Sequence, residues 1–308
     1  MSGHAAITRY PAPSEQPLLR AALRGALTLL FRGLIRPGLP ISGQRLVLRV
    51  LTAVHPTQPG VRRQAGQLAG RPCEWHRPRG ASHGTLLYLH GGAFMLGAPA
   101  SHRALCAALA HYAQLDVCAL DYRLAPEHPF PAALDDALAA YRCLRAQDER
   151  ALFIGGDSAG GNLALVTCLR LREQAISQPA ALLCLAPVVD FSGVQLHQPA
   201  AGDPLLNPAW LEQAHACYCP PGVDPLQPWI SPINADLHGL PPLLLQVGED
   251  ELLRNDSLRL AEKAAASGVR VRLEHYLGLW HVFQCHAGLL HAADRALQSA
   301  ADFLRQHS

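Results

Sequence analysis

Apolar residues in this chain come in short dense runs, separated by longer stretches where apolar and polar positions recur at helical spacing. Thr85–Leu89, Val117–Leu120, Ala151–Ile154, Ala181–Leu185 and Leu243–Val247 are almost wholly apolar. Runs this short and this dense predict strands covered on both faces. Val269–Tyr276 predicts a further strand, Leu46–Val54 another because of its branched residues, and Cys73–His76 a short one. Helices are predicted between them, at about 101–113, 131–146, 162–174, 255–266 and 287–305. Pro131 stands in a first turn, where proline is tolerated, and Gly268 is placed to cap a helix C-terminus. Strand and helix alternate almost throughout, which predicts an α/β protein with a mostly parallel central sheet and helices on both faces.

Two segments break the rhythm. Leu18–Ile35 is apolar on balance, with Leu19, Leu23, Leu27, Leu30 and Leu34 along one helical face, but Arg20, Arg24 and Arg32 make it too polar to span a bilayer. It reads as an amphipathic helix that packs on the domain and covers an apolar site, with transient membrane contact as the alternative reading. Residues 190–240 are rich in proline and carry Trp210, Tyr218 and Trp229. They read as an insertion folded over the carboxyl edge of the sheet, where open α/β sheets bind ligands. The expected organisation is N-terminal cap helices in 1–45 and the main α/β domain in 46–308, with the cap insertion at about 190–240.

Composition narrows the class. The 308 residues are 49% hydrophobic and 16% charged, as for one large α/β domain. A formal net charge of +2 without a basic run gives no nucleic-acid footprint. Lys263 is the single lysine, and the arginine bias reads as coding composition. The nine cysteines include no CxxC pair and no zinc-type cluster. Cys118, Cys168 and Cys184 read as small core residues, and Cys217 and Cys219, flanking Tyr218, as free thiols in a loop. An odd count without a framework suits a reducing compartment, so a cytoplasmic protein is expected. The N-terminus lacks the charged, apolar and cleavage regions of a leader peptide. Neither a metal nor an organic cofactor is expected, and neither nucleic acid nor stable membrane insertion.

The chemistry centres on Gly155-Gly156-Asp157-Ser158-Ala159-Gly160-Gly161, directly after an apolar run. A serine on a sharp strand-to-helix turn projects its hydroxyl above the sheet only if its neighbours lack bulk. The hydroxyl then needs a base, an acid that orients the base, and donors for an oxyanion. The run 243–247 leads into Glu249, Asp250 and Glu251, with Asp256 beyond, and the run 269–276 leads into Trp280-His281-Val282-Phe283. The order Ser158, Asp250, His281 matches an α/β hydrolase, although spacing alone does not choose among these carboxylates. Of the 16 histidines, His281 stands out by its place after a late strand, whereas His102, His111 and His291 read as surface residues. His90-Gly91-Gly92-Ala93 and the N–H of Ala159 read as oxyanion donors.

His90-Gly91-Gly92-Ala93-Phe94, Asp121-Tyr122-Arg123-Leu124-Ala125-Pro126-Glu127, Gly156-Asp157-Ser158-Ala159-Gly160-Gly161-Asn162 and Trp280-His281-Val282-Phe283 together resemble the hormone-sensitive-lipase-like esterases, bacterial family IV. The resemblance spans roughly residues 70–305. It implies an α/β-hydrolase fold whose helical cap comes from the N-terminal helices and the insertion. It also implies hydrolysis of carboxylic esters of short to medium acyl chains through an acyl-enzyme. It implies Ser158 as nucleophile, Asp250 as acid, His281 as base, and Gly91, Gly92 and Ala159 as oxyanion donors. Asp121, Arg123 and Glu127 belong to the signature as structural residues. Two departures stand out: Ala93 replaces a third glycine, and Glu251-Leu252-Leu253 follows Asp250 where many members have Pro-Leu. An amidase, arylformamidase or deacetylase would use the same machinery, and a non-catalytic small-molecule receptor is the reading from another class. The expected partner is a small ester, and a late edge strand with the terminal helix offers a surface for a homodimer.

Overall fold

The computed structural model describes residues 5–54, 56 and 58–308. Its strands are β1 (Ala6–Tyr10), β2 (Val61–Leu68), β3 (Arg71–Pro78), β4 (Gly84–Leu89), β5 (Asp116–Leu120), β6 (Ala151–Asp157), β7 (Leu182–Leu185), β8 (Leu243–Asp250) and β9 (Val271–Trp280). They form one sheet in the order β1-β9-β8-β7-β6-β4-β5-β3-β2. Only the β2–β3 and β3–β5 pairings are antiparallel.

The central strands are continuously apolar because each is covered twice. Leu87, Leu89, Cys118, Ile154, Cys184 and Leu245 face one side, with residues of α5 (Ala132–Gln147), α6 (Ala159–Glu173) and α8 (Arg254–Ala266). Their sequence neighbours Leu86, Tyr88, Val117, Phe153, Leu183 and Leu244 face the other, with α4 (Arg103–Ala113) and α9 (His291–Arg305). This is the two-residue period of a strand, with each fully buried leucine or phenylalanine contributing about 1.5–3 kcal/mol.

The edges depart from expectation. β1 and β2 were not apparent in the sequence because both are mostly exposed and lack an apolar run. Edge strands need no second buried face. β1 pairs in parallel with β9, so the late strand is not the sheet edge. Leu46–Val54 is not a strand. Most of it belongs to helix α3 (Ile41–Leu51), in which Leu46 and Val50 are exposed while Leu48 and Leu51 line a cavity. That helix crosses the expected boundary at residue 45. Before it lie α1 (Pro17–Ala26), a π-helical turn (Leu27–Phe31) and the short α2 (Arg32–Leu34). The 190–240 insertion contains α7 (Pro208–Tyr218), whose Asn207 side chain caps it by accepting from Trp210 N–H at 2.9 Å, with Pro208 in the first turn. All nine cysteines are free thiols.

Candidate active site

Ser158 stands between β6 and α6 with φ 52° and ψ −119°, a positive φ that a residue with a side chain adopts only under strain. The flanking glycines make room for this turn. A Cβ on Gly160 would lie 2.0 Å from the Leu89 carbonyl oxygen, and one on Gly156 would lie 2.5 Å from Gly160. The turn is fastened by Ser158 N–H donating to Leu185 O at 2.8 Å. The Asn162 amide adds donations to Val188 O and Ile230 O, each at 2.9 Å.

His281 follows the last residue of β9 and is buried. Its Nδ1 lies 3.2 Å from Oε1 of Glu251, and the other Glu251 oxygen accepts from Gly248 N–H at 2.9 Å. The carboxylate beside His281 is therefore Glu251 and not Asp250. Asp250 instead meets Arg24 of α1, with Nη1 to Oδ2 at 3.0 Å. The physical reason lies in the end of β8. Its register against β9 shifts between Gly248 and Asp250, and a Cβ on Gly248 would lie 2.5 Å from Leu279 O. Neighbouring residues along such a strand end project to opposite sides, so Asp250 turns to the cap and Glu251 inward. Glu249 pairs with Arg254 at 2.6 Å, and Asp256 accepts from Val189 N–H at 2.7 Å. Burial disfavours charge on His281, but the Glu251 carboxylate outweighs it and raises the imidazole above its usual value. With Nδ1–H held by the carboxylate, the nitrogen free to take a proton is Nε2.

The oxyanion expectation shifts by one residue. Gly91 N–H already donates to Asp157 Oδ1 at 3.0 Å, so it is not free for a substrate. Among the described residues the N–H groups of Gly92 and Ala93 have no protein acceptor. Ala159, as first residue of α6, has no acceptor within its own helix. Gly92 has φ 123°, and a Cβ there would fall 2.3 Å from Leu96 O. Ala93 itself has φ 53°. The loop therefore takes up the strained conformation in spite of the alanine.

A buried polar cluster stands behind the loop. Asp157 accepts from Tyr88 Oη at 2.8 Å and lies 3.2 Å from His102 Nε2. Burial opposes its charge, yet His102 and Tyr88 hold the carboxyl below its usual range. His102, expected at the surface, is thus a buried partner of the residue before Ser158. His90 stacks on Tyr122 at 4.3 Å, and Tyr122 Oη donates to His90 O at 2.6 Å. Burial first, and His102 second, push His90 down to about 4, so it is neutral near pH 7. The signature charges tie loops together: Arg123 pairs with Asp136 at 2.8 Å, and Glu127 with Arg45 of α3 at 2.7 Å.

Above this floor lies a cavity of about 350 Å³ that Ser158, His281, Gly91, Gly92 and Ala93 all line. Its other walls are Leu23, Leu27 and Leu30 of the first helical segment, Leu48 and Leu51 of α3, and Trp210, Leu211 and Ala214 of α7. Trp229 does not line it; Arg170 lies over its ring at 4.9 Å. Trp210 joins the two halves of the cap, its indole N–H donating to the buried Gln44 at 2.9 Å. Among the described residues no group of His, Cys, Asp and Glu is arranged to hold a metal.

The sheet order, the strained serine turn and the cavity over its carboxyl edge define an α/β hydrolase. A model described as alpha/beta hydrolase fold matches residues 86–285. An acetyl-hydrolase of Streptomyces hygroscopicus is 42% identical over 75% of this chain and 79% of its own length. An esterase of Acinetobacter venetianus is 37% identical over 84% of this chain and 87% of its own. A crystal structure described as a hormone-sensitive lipase from a metagenome library superposes with a TM-score of 0.89 at 36% identity, covering 94% of this chain and 98% of that one. The chain belongs to the hormone-sensitive-lipase-like family of α/β-hydrolase esterases, and it is a serine carboxylic ester hydrolase.

Proposed function

We propose that the protein cleaves esters of short to medium acyl chains, with Ser158 as nucleophile, His281 as base and Glu251 as the acid that orients it. Ser158 Oγ attacks the ester carbonyl carbon while His281 Nε2 takes its proton. Glu251 fixes the imidazole tautomer and stabilises the imidazolium. The N–H groups of Gly92, Ala93 and Ala159 receive the oxyanion. The imidazolium returns its proton to the leaving alkoxide, and the same nitrogen then activates water to release the acid.

The observation that carries this reading is the buried pair of His281 and Glu251, in a cavity His281 shares with the strained Ser158. The apolar cavity sits at the low end of small-molecule sites in volume, which favours short acyl chains. The test is turnover of p-nitrophenyl acetate, butyrate, octanoate and palmitate by the wild type and Ser158→Ala. Turnover should be high for the shorter three and low for palmitate, and the variant should lose about 10⁴-fold or more. A variant that keeps its rate on every ester removes Ser158 from the chemistry.

A further inference from the structure

The cap is unusual for its outward face. Leu29, Leu46 and Val50 are 74%, 59% and 65% exposed and do not line the cavity. Leu30 and Val54 are exposed as well, and they do line it. The cavity wall thus continues into exposed apolar side chains on the same segments.

The charge carried by these segments has one sign. Residues 16–54, which include these helices, contain six arginines and neither Asp nor Glu. Arg24 and Arg45 find carboxylates elsewhere in the fold, at Asp250 and Glu127. Arg20 and Arg32 donate only to backbone carbonyls, of Glu15 and Asp203. Arg36 and Arg49 are exposed and have no carboxylate partner among the described residues. Leucine and valine beside uncompensated arginine is the composition of a segment lying at the surface of an anionic bilayer, its apolar side chains in the acyl boundary and its guanidinium groups among phosphates. A second copy of the chain would oppose like charges on this face. Among the described residues no helix is long and apolar enough to cross a membrane, so the contact is peripheral.

We propose that this face of the cap docks on an anionic lipid surface and opens the cavity toward it. Docking is a claim separate from the catalytic one, and Ser158→Ala should bind as the wild type does. The experiment is co-sedimentation of the full chain with phosphatidylcholine vesicles, with or without phosphatidylglycerol. Binding should be about tenfold or more stronger with phosphatidylglycerol, and should weaken in about 0.5 M salt. Arg36→Glu with Arg49→Glu, and separately Leu29→Ser with Val50→Ser, should each cut binding about tenfold and leave turnover of soluble p-nitrophenyl acetate unchanged. Equal binding to both vesicles, binding to neither, or variants that bind as the wild type does would overturn the proposal. So would a dimer in sedimentation equilibrium that Leu29→Ser with Val50→Ser dissociates, since the face would then belong to a second copy.

Discussion

The floor of the cavity and its cap are built on opposite terms. Around Ser158 the glycines at 91, 92, 156 and 160 are bounded by atoms that leave no room for a methyl group, and Asp157, His102, Tyr88 and Asn162 are all buried with hydrogen-bond partners. In α1, the π-turn, α2 and α3 only Gln44 is buried. The cap is held by a few directed ties: Arg24 to Asp250, Arg32 to Asp203 O, Arg45 to Glu127 and Trp210 to Gln44. Reacting atoms must be held to a fraction of an ångström, which takes dense packing and satisfied polar groups. A cover that admits substrates needs the low local stability that few buried contacts give.

The sharpest break in this comparison runs between adjacent carboxylates. Glu251→Gln should lower kcat/KM by about 10³–10⁴, as expected when a base loses its orienting acid. Asp250→Asn should cost less than about tenfold, because it removes only a tie to the cap. The reverse ranking would restore Asp250 as the acid. The pH profile adds a second readout. The base must be neutral to act, and Glu251 raises His281, so activity should fall as pH drops through a value above the usual 6.5 or so. Asp250→Asn should leave that limb in place. In Glu251→Gln burial is opposed only by the weaker fields of Asp203 and Asp157, and the limb should move to lower pH.

Two glycines test the packing contrast. Gly160→Ala forces a methyl onto Leu89 O and should cost about 1–3 kcal/mol or more in urea unfolding, with loss of activity. Gly25→Ala in α1 meets nothing within 4 Å and should be neutral or stabilising by up to about 1 kcal/mol. Equal costs would mean that the cap is packed as tightly as the floor. The smallest effect concerns the tie itself. Arg24→Ala removes a partly exposed pair worth about 0–1 kcal/mol, and should change KM for octanoate about two- to fivefold with kcat nearly constant. A large fall in kcat would make Arg24 part of the positioning of Glu251.

Much of this was legible in the residues. Leu86, Leu87, Phe153, Ile154, Leu244 and Leu245 marked central strands because burial on both faces leaves no polar position to confuse the pattern. The glycines beside Ser158 and the loop at His90 marked the floor because only small residues fit the turns. The edges were not legible: Ala6–Tyr10 and Val61–Leu68 are exposed strands without an apolar signature, and the branched residues of α3 imitated a strand.

What the sequence determined by itself was the order of elements, the glycine-flanked serine turn and the histidine after a late strand that lines the same cavity. Those features follow from local sterics and from burial along one element at a time. Only the tertiary structure decided which carboxylate reaches His281, which N–H of the glycine loop is already taken, and that His102 lies inside. Each of these depends on which way a side chain or N–H points where two elements meet, as at the shifted register between β8 and β9. Linear spacing carries no information about that direction.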